Sequence, residues 1–227
     1  MQFLHVTDIH FDKSIFNWIS KRAGDFDAVC LTGDFMSEAG ENEGSPEKQI
    51  ARMLSWLEDL PKPVFMCSGN HDVLEPDLSM GALEALFVED EEYMEFSSQP
   101  EMPQEETWLS KIGLPGVYTD GAIVDLDGVK IGCMPYQGED HYKFQECDVL
   151  LCHVPPAKTK VSIGQFGDYG CPKLRRSLQT GLLKPTYLLS GHIHIPVSNT
   201  DKVNGVNLVN PGWGNWSSEP RHAIIEV

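Results

Sequence analysis

Short apolar runs rich in β-branched residues recur along the chain, and they constrain its fold more than any other feature. Each run holds four to six residues between Gly, Asp, Asn or Pro, which is typical of strands that are buried on both faces. Helical patterns separate several of these runs, and the alternation predicts a layered α/β domain. The runs cover residues 3–7, 28–32, 64–67, 129–134, 149–152 and 187–190.

Two helices can be placed between these runs. Residues 46–60 begin with a proline, which suits the first turn of a helix. Their apolar residues recur at the spacing of one helical face, namely Ile50, Met53, Leu54 and Leu57. A second helical pattern covers residues 171–180 and stops at Gly181.

The second half of the chain adds hairpin signals. Asp127-Gly128 separates the apolar segments 123–126 and 129–133, and this dipeptide favours a two-residue turn. Segments 206–209 and 222–227 have the pattern of closing strands. The sequence therefore predicts an α/β fold in which two sheets pack face to face as a β-sandwich with helices outside.

The chain length of 227 residues suits one domain, and we expect a single domain over residues 1–227. An acidic insertion is expected at about 73–110, because nine acidic side chains fall between residues 84 and 106. Such a run is either a solvated excursion or a lid or partner-binding insertion.

Charge and composition restrict the partners. The net charge is −17, which repels long polyanions and disfavours nucleic-acid polymers as partners. The six cysteines form no C-x-x-C pair, which suits buried thiols in a reducing compartment. Asp8 and His10 interrupt the N-terminal apolar run, and no run is long enough to span a bilayer. We therefore expect a cytoplasmic location and no membrane partner; the oligomeric state is left open.

Polar side chains cluster where the predicted strands end. Ligands of open α/β sheets bind beyond the carboxyl ends of the strands, so these side chains are expected to meet at one rim. Five strand ends contribute, with Asp8-x-His10, Gly33-Asp34, Gly69-Asn70-His71-Asp72, His153 and Gly191-His192-x-His194.

These residue types suit a metal site. Imidazole nitrogens and carboxylate oxygens bind Mn, Fe, Zn or Co, and no thiolate is present in the set to demand a soft ion. Glycine before Asp34, Asn70 and His192 lets the backbone pass close to the cluster. Two divalent ions typically share a carboxylate bridge.

The five motifs in this order resemble the complete motif series of the calcineurin-like metallophosphoesterases, and Asn210-Pro211-Gly212 is similar to the common closing turn of that family. The segment His153-Val154-Pro155-Pro156 is similar to a turn that is frequent in the small single-domain phosphodiesterase-like branch of that family. The resemblance implies a β-sandwich flanked by helices, the αββα fold, and a dinuclear metal centre.

The resemblance also implies roles for individual residues. One metal ion would be held by Asp8, His10, Asp34 and His194. The other would be held by Asp34, Asn70, His153 and His192, with Asp34 as the bridge. Asn70 and His71 would contact the substrate, and His71 would act as a catalytic residue beside the leaving group. Asp72 would either orient His71 or cap the segment that follows it.

The expected function is that of a dinuclear metal-dependent phosphoesterase. We expect hydrolysis of a small phosphodiester by a metal-bridging hydroxide, with two divalent ions as cofactors. Manganese is the expected metal, and iron, zinc, cobalt and nickel are alternatives. The two ions outweigh the carboxylates locally, so a protein with a net charge of −17 can still bind phosphate. The alternatives are a phosphomonoesterase or a nuclease on the same scaffold, or a non-catalytic metal-binding interaction module.

Overall fold

The computed structural model of the chain describes residues 1–37, 44–61, 63–73, 107–138, 140–214 and 219–227. Most of the predicted acidic insertion, residues 74–106, lies outside the described residues. None of the described helices has the length and apolar character needed to cross a membrane.

The described residues form three α-helices and thirteen strands. The helices are α1 (Lys13–Arg22), α2 (Pro46–Glu58) and α3 (Pro172–Thr180). The strands are β1 (Gln2–Val6), β2 (Ala28–Thr32), β3 (Val64–Cys67), β4 (Val117–Tyr118), β5 (Ile123–Leu126), β6 (Val129–Cys133), β7 (Val149–Leu151), β8 (Ile163–Gly164), β9 (Gly167–Asp168), β10 (Tyr187–Leu189), β11 (Thr200–Val203), β12 (Val206–Val209) and β13 (Ala223–Glu226).

Two sheets carry most of these strands. The first has the order β13-β1-β2-β3-β4, and its strands are parallel except for β13 at the edge. The second has the order β11-β12-β10-β7-β6-β5, with four parallel strands between the antiparallel edges β11 and β5. Strands β8 and β9 form a separate small hairpin. Parallel neighbours bring their carboxyl ends to the same edge of each sheet.

The apolar side chains form three layers. Strand β1 shows the arrangement, since Leu4 and Val6 pack with residues of α1 and α2 while Phe3 packs between the two sheets. This alternation follows from the two-residue period of a strand. A third cluster joins the second sheet to α3. The layers confirm the predicted α/β sandwich with helices on the outside.

The sequence located most elements closely. The predicted strands 28–32 and 64–67 coincide with β2 and β3. The predicted hairpin is confirmed, and both turn residues have positive φ, 50° at Asp127 and 89° at Gly128. Helix α3 ends at Thr180, as predicted, and the next residue is Gly181, whose left-handed φ of 74° favours glycine. The short strands β4, β8, β9 and β11 were not predicted.

Candidate metal centre

Five strand ends supply the polar cluster, as the sequence predicts. Asp8 and His10 follow β1, Asp34 follows β2, and the 3₁₀ turn Asn70–Asp72 follows β3. From the second sheet, His153 follows β7, and both His192 and His194 follow β10. The site therefore lies across the edge of the sandwich and draws on both sheets.

The backbone at the site is strained at positions that are not glycine. φ is 51° at Asp8, 44° at His10, 54° at Asp34 and 67° at His192. A left-handed conformation costs such residues on the order of 1–3 kcal/mol each and persists only where its surroundings enforce it. Backbone hydrogen bonds provide this support, because Asp8 N donates to Gly33 O at 3.1 Å and His10 N donates to Asp34 O at 2.9 Å. Of the nine described non-glycine residues with a positive φ, four thus lie in this cluster.

Four residues form the first candidate metal group. One ligand atom from each lies within 4.8 Å of the others, in Asp8, His10, Asp34 and His194. The Nε2 atoms of His10 and His194 are 3.1 Å apart. His194 Nε2 is 3.5 Å from Asp8 Oδ1, and His10 Nε2 is 4.0 Å from Asp34 Oδ2. These atoms converge on one point, as ligands of one cation do.

The second candidate group shares Asp34 with the first. It contains Asp34, His153 and His192. Asn70 joins them, since its Oδ1 lies 3.1 Å from His153 Nε2 and 3.0 Å from His192 Nδ1. His153 Nε2 is 3.2 Å from Asp34 Oδ2. The structure thus brings all seven predicted ligands together, with Asp34 in both groups.

The charges of the cluster favour cations. Burial lowers the pKa of His153, but the charges of Asp34 and Asp8 overcome that effect and raise it to about 9. Burial raises the pKa of Asp34, but His153 and His71 hold it below its usual range. A hydrogen bond to the carboxylate of Asp8 raises the pKa of His194. The protein without metal therefore holds protons beside the carboxylates, where divalent ions would displace them.

Two histidines of the cluster remain easy to deprotonate. Burial lowers the pKa of both His10 and His192, although Asp34 and Asp8 act in the opposite direction. Neutral imidazole is the form that binds a metal. The donor set of carboxylates, imidazoles and one amide oxygen thus fits two divalent ions.

A buried layer of hydrogen bonds orients these ligands. His153 Nδ1 lies 2.9 Å from Thr32 O, so this nitrogen carries a proton and Nε2 faces the cluster. The Thr7 hydroxyl lies 2.7 Å from both Asp8 Oδ2 and Thr32 O. This layer was not predicted from the sequence, although a threonine directly before Asp8 is a usable signal.

Two glycines are required by close approach, as the sequence predicted. A Cβ at Gly69 would collide with the carboxylate of Asp34, and a Cβ at Gly191 would collide with the hydroxyl of Thr7. Both glycines directly precede predicted ligands, Asn70 and His192. Any larger residue would displace a ligand.

His71 faces the cluster beside the shared carboxylate. Its backbone N–H donates to Asp34 Oδ1 at 2.9 Å, and its Nε2 is 4.0 Å from Asp34 Oδ2. Its ring meets that of His10 edge to face, with centroids 5.0 Å apart. The side chain is partly exposed, so an incoming group can reach it.

Asp72 is fully buried behind the site. Its carboxylate accepts three backbone hydrogen bonds, from Gly69 at 2.8 Å, from Asp34 at 2.9 Å and from Phe35 at 3.0 Å. The indole Nε1 of Trp108 donates a fourth at 3.1 Å. Burial, followed by the charge of Asp34, raises the pKa of Asp72 to about 7. Through these contacts Asp72 joins the loops that carry Asp34 and Asn70.

The closing turn Asn210-Pro211-Gly212 supports the last motif. Asn210 is buried, and its Nδ2 lies within 3.2 Å of the carbonyl oxygens of Val161, Gly191 and Ile193. Trp213 follows this turn, and its backbone N–H donates to His194 O at 2.9 Å. Sequence reasoning missed Trp213, although its place directly after the turn is a signal.

Most of the chain resembles one known protein family. The sequence model of the calcineurin-like phosphoesterase family matches residues 1–196. The chain belongs to this family. Its members hydrolyse phosphoesters with metal ions, and the candidate metal groups of this phosphoesterase fit that chemistry. No curated protein matches the chain.

Solved structures show the same fold at low sequence identity. The protein TT1561 of Thermus thermophilus is 14% identical with a TM-score of 0.56, and the match covers 93% of this chain and 88% of that one. Purple acid phosphatase PPD1 from yellow lupin is 16% identical with a TM-score of 0.50, and the match covers 100% of this chain and 46% of that one. At such identities the likeness concerns the fold alone.

Proposed function

We propose that this phosphoesterase hydrolyses a small phosphodiester at a centre of two divalent metal ions. The observation that carries the proposal is the shared Asp34, whose carboxylate belongs to both candidate ligand groups. A carboxylate between two ligand sets is suited to bridging two ions. Because all seven ligand positions are filled by suitable side chains, catalysis is favoured over a purely structural use of the fold.

Bound divalent ions supply Lewis acidity and ionise water near neutral pH. The side chains of the chain do the rest. Asn70 directs its Oδ1 toward His153 and His192, which fixes the amide beside the shared carboxylate. We propose that Asn70 and His71 contact the phosphate, because both project from the same turn into the cluster.

His71 is the proposed general acid. It occupies no position in either ligand group, yet its Nε2 lies 4.0 Å from the shared carboxylate and its side chain is partly exposed. A protonated Nε2 can donate its proton to the leaving alkoxide oxygen. For Asp72, which the sequence predicts either to orient His71 or to cap the segment that follows it, we propose a positioning role, because its oxygens accept four N–H groups behind the site.

The net charge of −17 supports a small substrate over a nucleic-acid polymer. One phosphate can reach the local positive charge of two ions, whereas a polymer brings further phosphates against an acidic surface. Manganese is the proposed metal, because the mixed imidazole and carboxylate donors suit it. Iron, zinc, cobalt and nickel are the alternatives, because part of this donor set suits them as well.

A substrate panel tests the proposal. Protein loaded with Mn²⁺ is assayed with an aryl phosphodiester, an aryl phosphomonoester, cyclic nucleotides and single-stranded DNA. Faster turnover of small diesters supports the proposal. A preference for the monoester would overturn the diester assignment and leave the metal centre intact, and a preference for DNA would favour the nuclease alternative. His222→Gln serves as a control protein in the panel. It should show the same substrate preference as the unmodified protein, because His222 lies outside both ligand groups.

A further inference from the structure

Trp213 lies at the rim of the ligand cluster. Its ring centroid is 5.1 Å from that of His194 and 5.9 Å from that of His10. It nevertheless keeps 38% of its surface exposed. An indole that touches two candidate ligands and stays open to solvent offers a large apolar contact area to whatever enters the site.

The segments around Trp213 are also apolar and open. Ile195 follows the candidate ligand His194 directly, and both Ile195 and Val197 are more than half exposed. Phe166, between β8 and β9, is 84% exposed. The hairpin is attached here, because Val197 N donates to Ile163 O at 2.9 Å. Exposed apolar side chains therefore follow the loop of His194 and continue into the hairpin to which it is bonded.

The backbone that carries Trp213 is anchored by a hydrogen bond and by close contacts at Gly212. Gly212 N donates to Asn210 Oδ1 at 2.8 Å, and the φ of Gly212 is 75°. A Cβ at Gly212 would lie 3.1 Å from Pro196 Cδ and within 3 Å of His194 O. The turn thus packs against the loop of His194, and these contacts position the backbone from which the indole projects.

We propose that Trp213 is a specificity-determining residue that stacks on a planar aromatic group of the substrate. The inference rests on the proposed function, because it takes the phosphate to bind between the ligand groups, and the indole contacts two histidines of the first group. A flat indole favours a flat ring over an alkyl group of equal size through aromatic stacking. Aryl esters and nucleobases share this chemistry.

Binding of phosphonates tests the proposal without turnover. Calorimetry with the Mn²⁺-loaded protein compares phenylphosphonate, cyclohexylphosphonate and methylphosphonate, and the methylene phosphonate analogue of AMP adds a nucleobase. Phenylphosphonate is expected to bind about 5-fold to 100-fold more tightly than methylphosphonate, and more tightly than cyclohexylphosphonate. The AMP analogue shows whether a nucleobase or a simple aryl ring is preferred.

Three variants assign the effect to Trp213. Trp213→Phe should keep the preference for phenyl over cyclohexyl, Trp213→Leu should abolish it, and Trp56→Phe, whose indole contacts Ser20 and Phe16, should leave it unchanged. Metal content is measured for each variant, so that the affinity ratio is read only from protein with full occupancy. If Trp213→Leu loses metal, Trp213→Met takes its place and should likewise abolish the preference for phenyl over cyclohexyl.

The outcomes separate the inference from the proposed function. Equal affinity for phenyl and cyclohexyl phosphonates, or an unchanged ratio in Trp213→Leu, overturns the role of Trp213 even if small diesters are hydrolysed. An aromatic preference that depends on Trp213 supports the inference even if no diester in the panel is hydrolysed, and in that case the proposed reaction is wrong.

Discussion

Asp34 has the most demanding position of any side chain in the cluster. It has a positive φ, it is buried, and its carboxylate belongs to both ligand groups. We expect Asp34→Asn to lower the metal content of the Mn²⁺-treated protein and to slow turnover by at least about 100-fold, since changes around a metal site typically cost 10–100-fold even outside the ligands. Elemental analysis after dialysis, together with the diester assay, checks both effects.

The control is Asp168→Asn, which makes the same chemical change on the exposed β9 strand. It should keep the metal content and the rate of the unmodified protein. Full occupancy and full rate in Asp34→Asn would refute the role of Asp34 as a bridge.

His71 gives a prediction about leaving groups. His71→Ala should keep its metal ions and lose about 10²–10⁴-fold in rate on an alkyl ester, because the alkoxide needs a proton. The loss should be much smaller on a p-nitrophenyl ester, whose leaving group is stable as an anion. Rates measured on both esters decide the matter, and equal losses would leave His71 with phosphate positioning alone.

His5 gives a prediction about acid stability. It lies on β1, its Nε2 is 2.9 Å from Thr32 Oγ1, and its Nδ1 is buried without a partner among the described residues. Burial lowers its pKa from 6.5 to about 3, against the charge of Asp8. Between these values the unfolded chain binds a proton that the folded chain does not, so stability falls as the pH drops from about 6.5 to 3. The loss over this window is of order 5 kcal/mol.

Urea unfolding of metal-free His5→Phe at several pH values checks this expectation. The dependence of unfolding free energy on pH should be shallower than in the unmodified protein, whatever the absolute stability of the variant. His222→Gln, which replaces a half-buried histidine, is the control for the loss of one imidazole. An equally steep slope in His5→Phe would assign the acid sensitivity to other groups.

At the scale of elements, the buried carboxylate of Asp72 connects three pieces of chain. It bonds to the loop after β2, to the loop after β3 and to Trp108 in the 3₁₀ turn Trp108–Lys111. We expect Trp108→Phe to destabilise the protein by about 1–3 kcal/mol, because it removes a buried hydrogen bond and leaves a gap. Trp56→Phe, on the partly exposed face of α2, should cost less. Thermal unfolding of both variants measures the difference, and equal losses would contradict the special place of Trp108.

The sequence could predict the elements and the cluster of candidate ligands for the same reason. Both lie in local patterns, because an apolar strand and the polar residues that follow it are neighbours along the chain. The contacts of Asp72 with Phe35 and Trp108 join positions 36 to 37 residues apart, and no local pattern encodes such pairs. The positive φ of Asp8 and His10 is equally hidden, because neither residue type requires it. The two-residue strands β8 and β9 are too short to leave a periodic signal.

At the scale of the whole molecule, the net charge of −17 sets a prediction about salt. Activity on a small aryl diester should exceed activity on single-stranded DNA at low ionic strength. The gap should narrow at 1 M salt, since the Debye length falls from about 10 Å at 0.1 M to about 3 Å. Rates on both substrates across a salt series measure the gap.

The acidic insertion enters the same prediction through its charge alone, since residues 74–106 lie outside the described part of the chain. Deleting residues 89–106 should narrow the gap at low salt in a variant whose circular dichroism matches that of the full chain. Faster hydrolysis of a long oligonucleotide than of the aryl diester at low salt would contradict the whole argument from charge.

The ligand cluster draws on both sheets, so the geometry of the metal site depends on how the two sheets are placed relative to each other. Asp8 and Asp34 belong to one sheet, and His153 and His192 to the other. Metal ligation tolerates displacements of only about 0.5 Å. A cavity at Phe3, which lies in the layer between the sheets, would allow one sheet to shift against the other. Such a shift would therefore weaken ion binding before it caused any other loss. Bound ions would in turn cross-link the two sheets. The affinity for metal would therefore report how well the two sheets pack against each other.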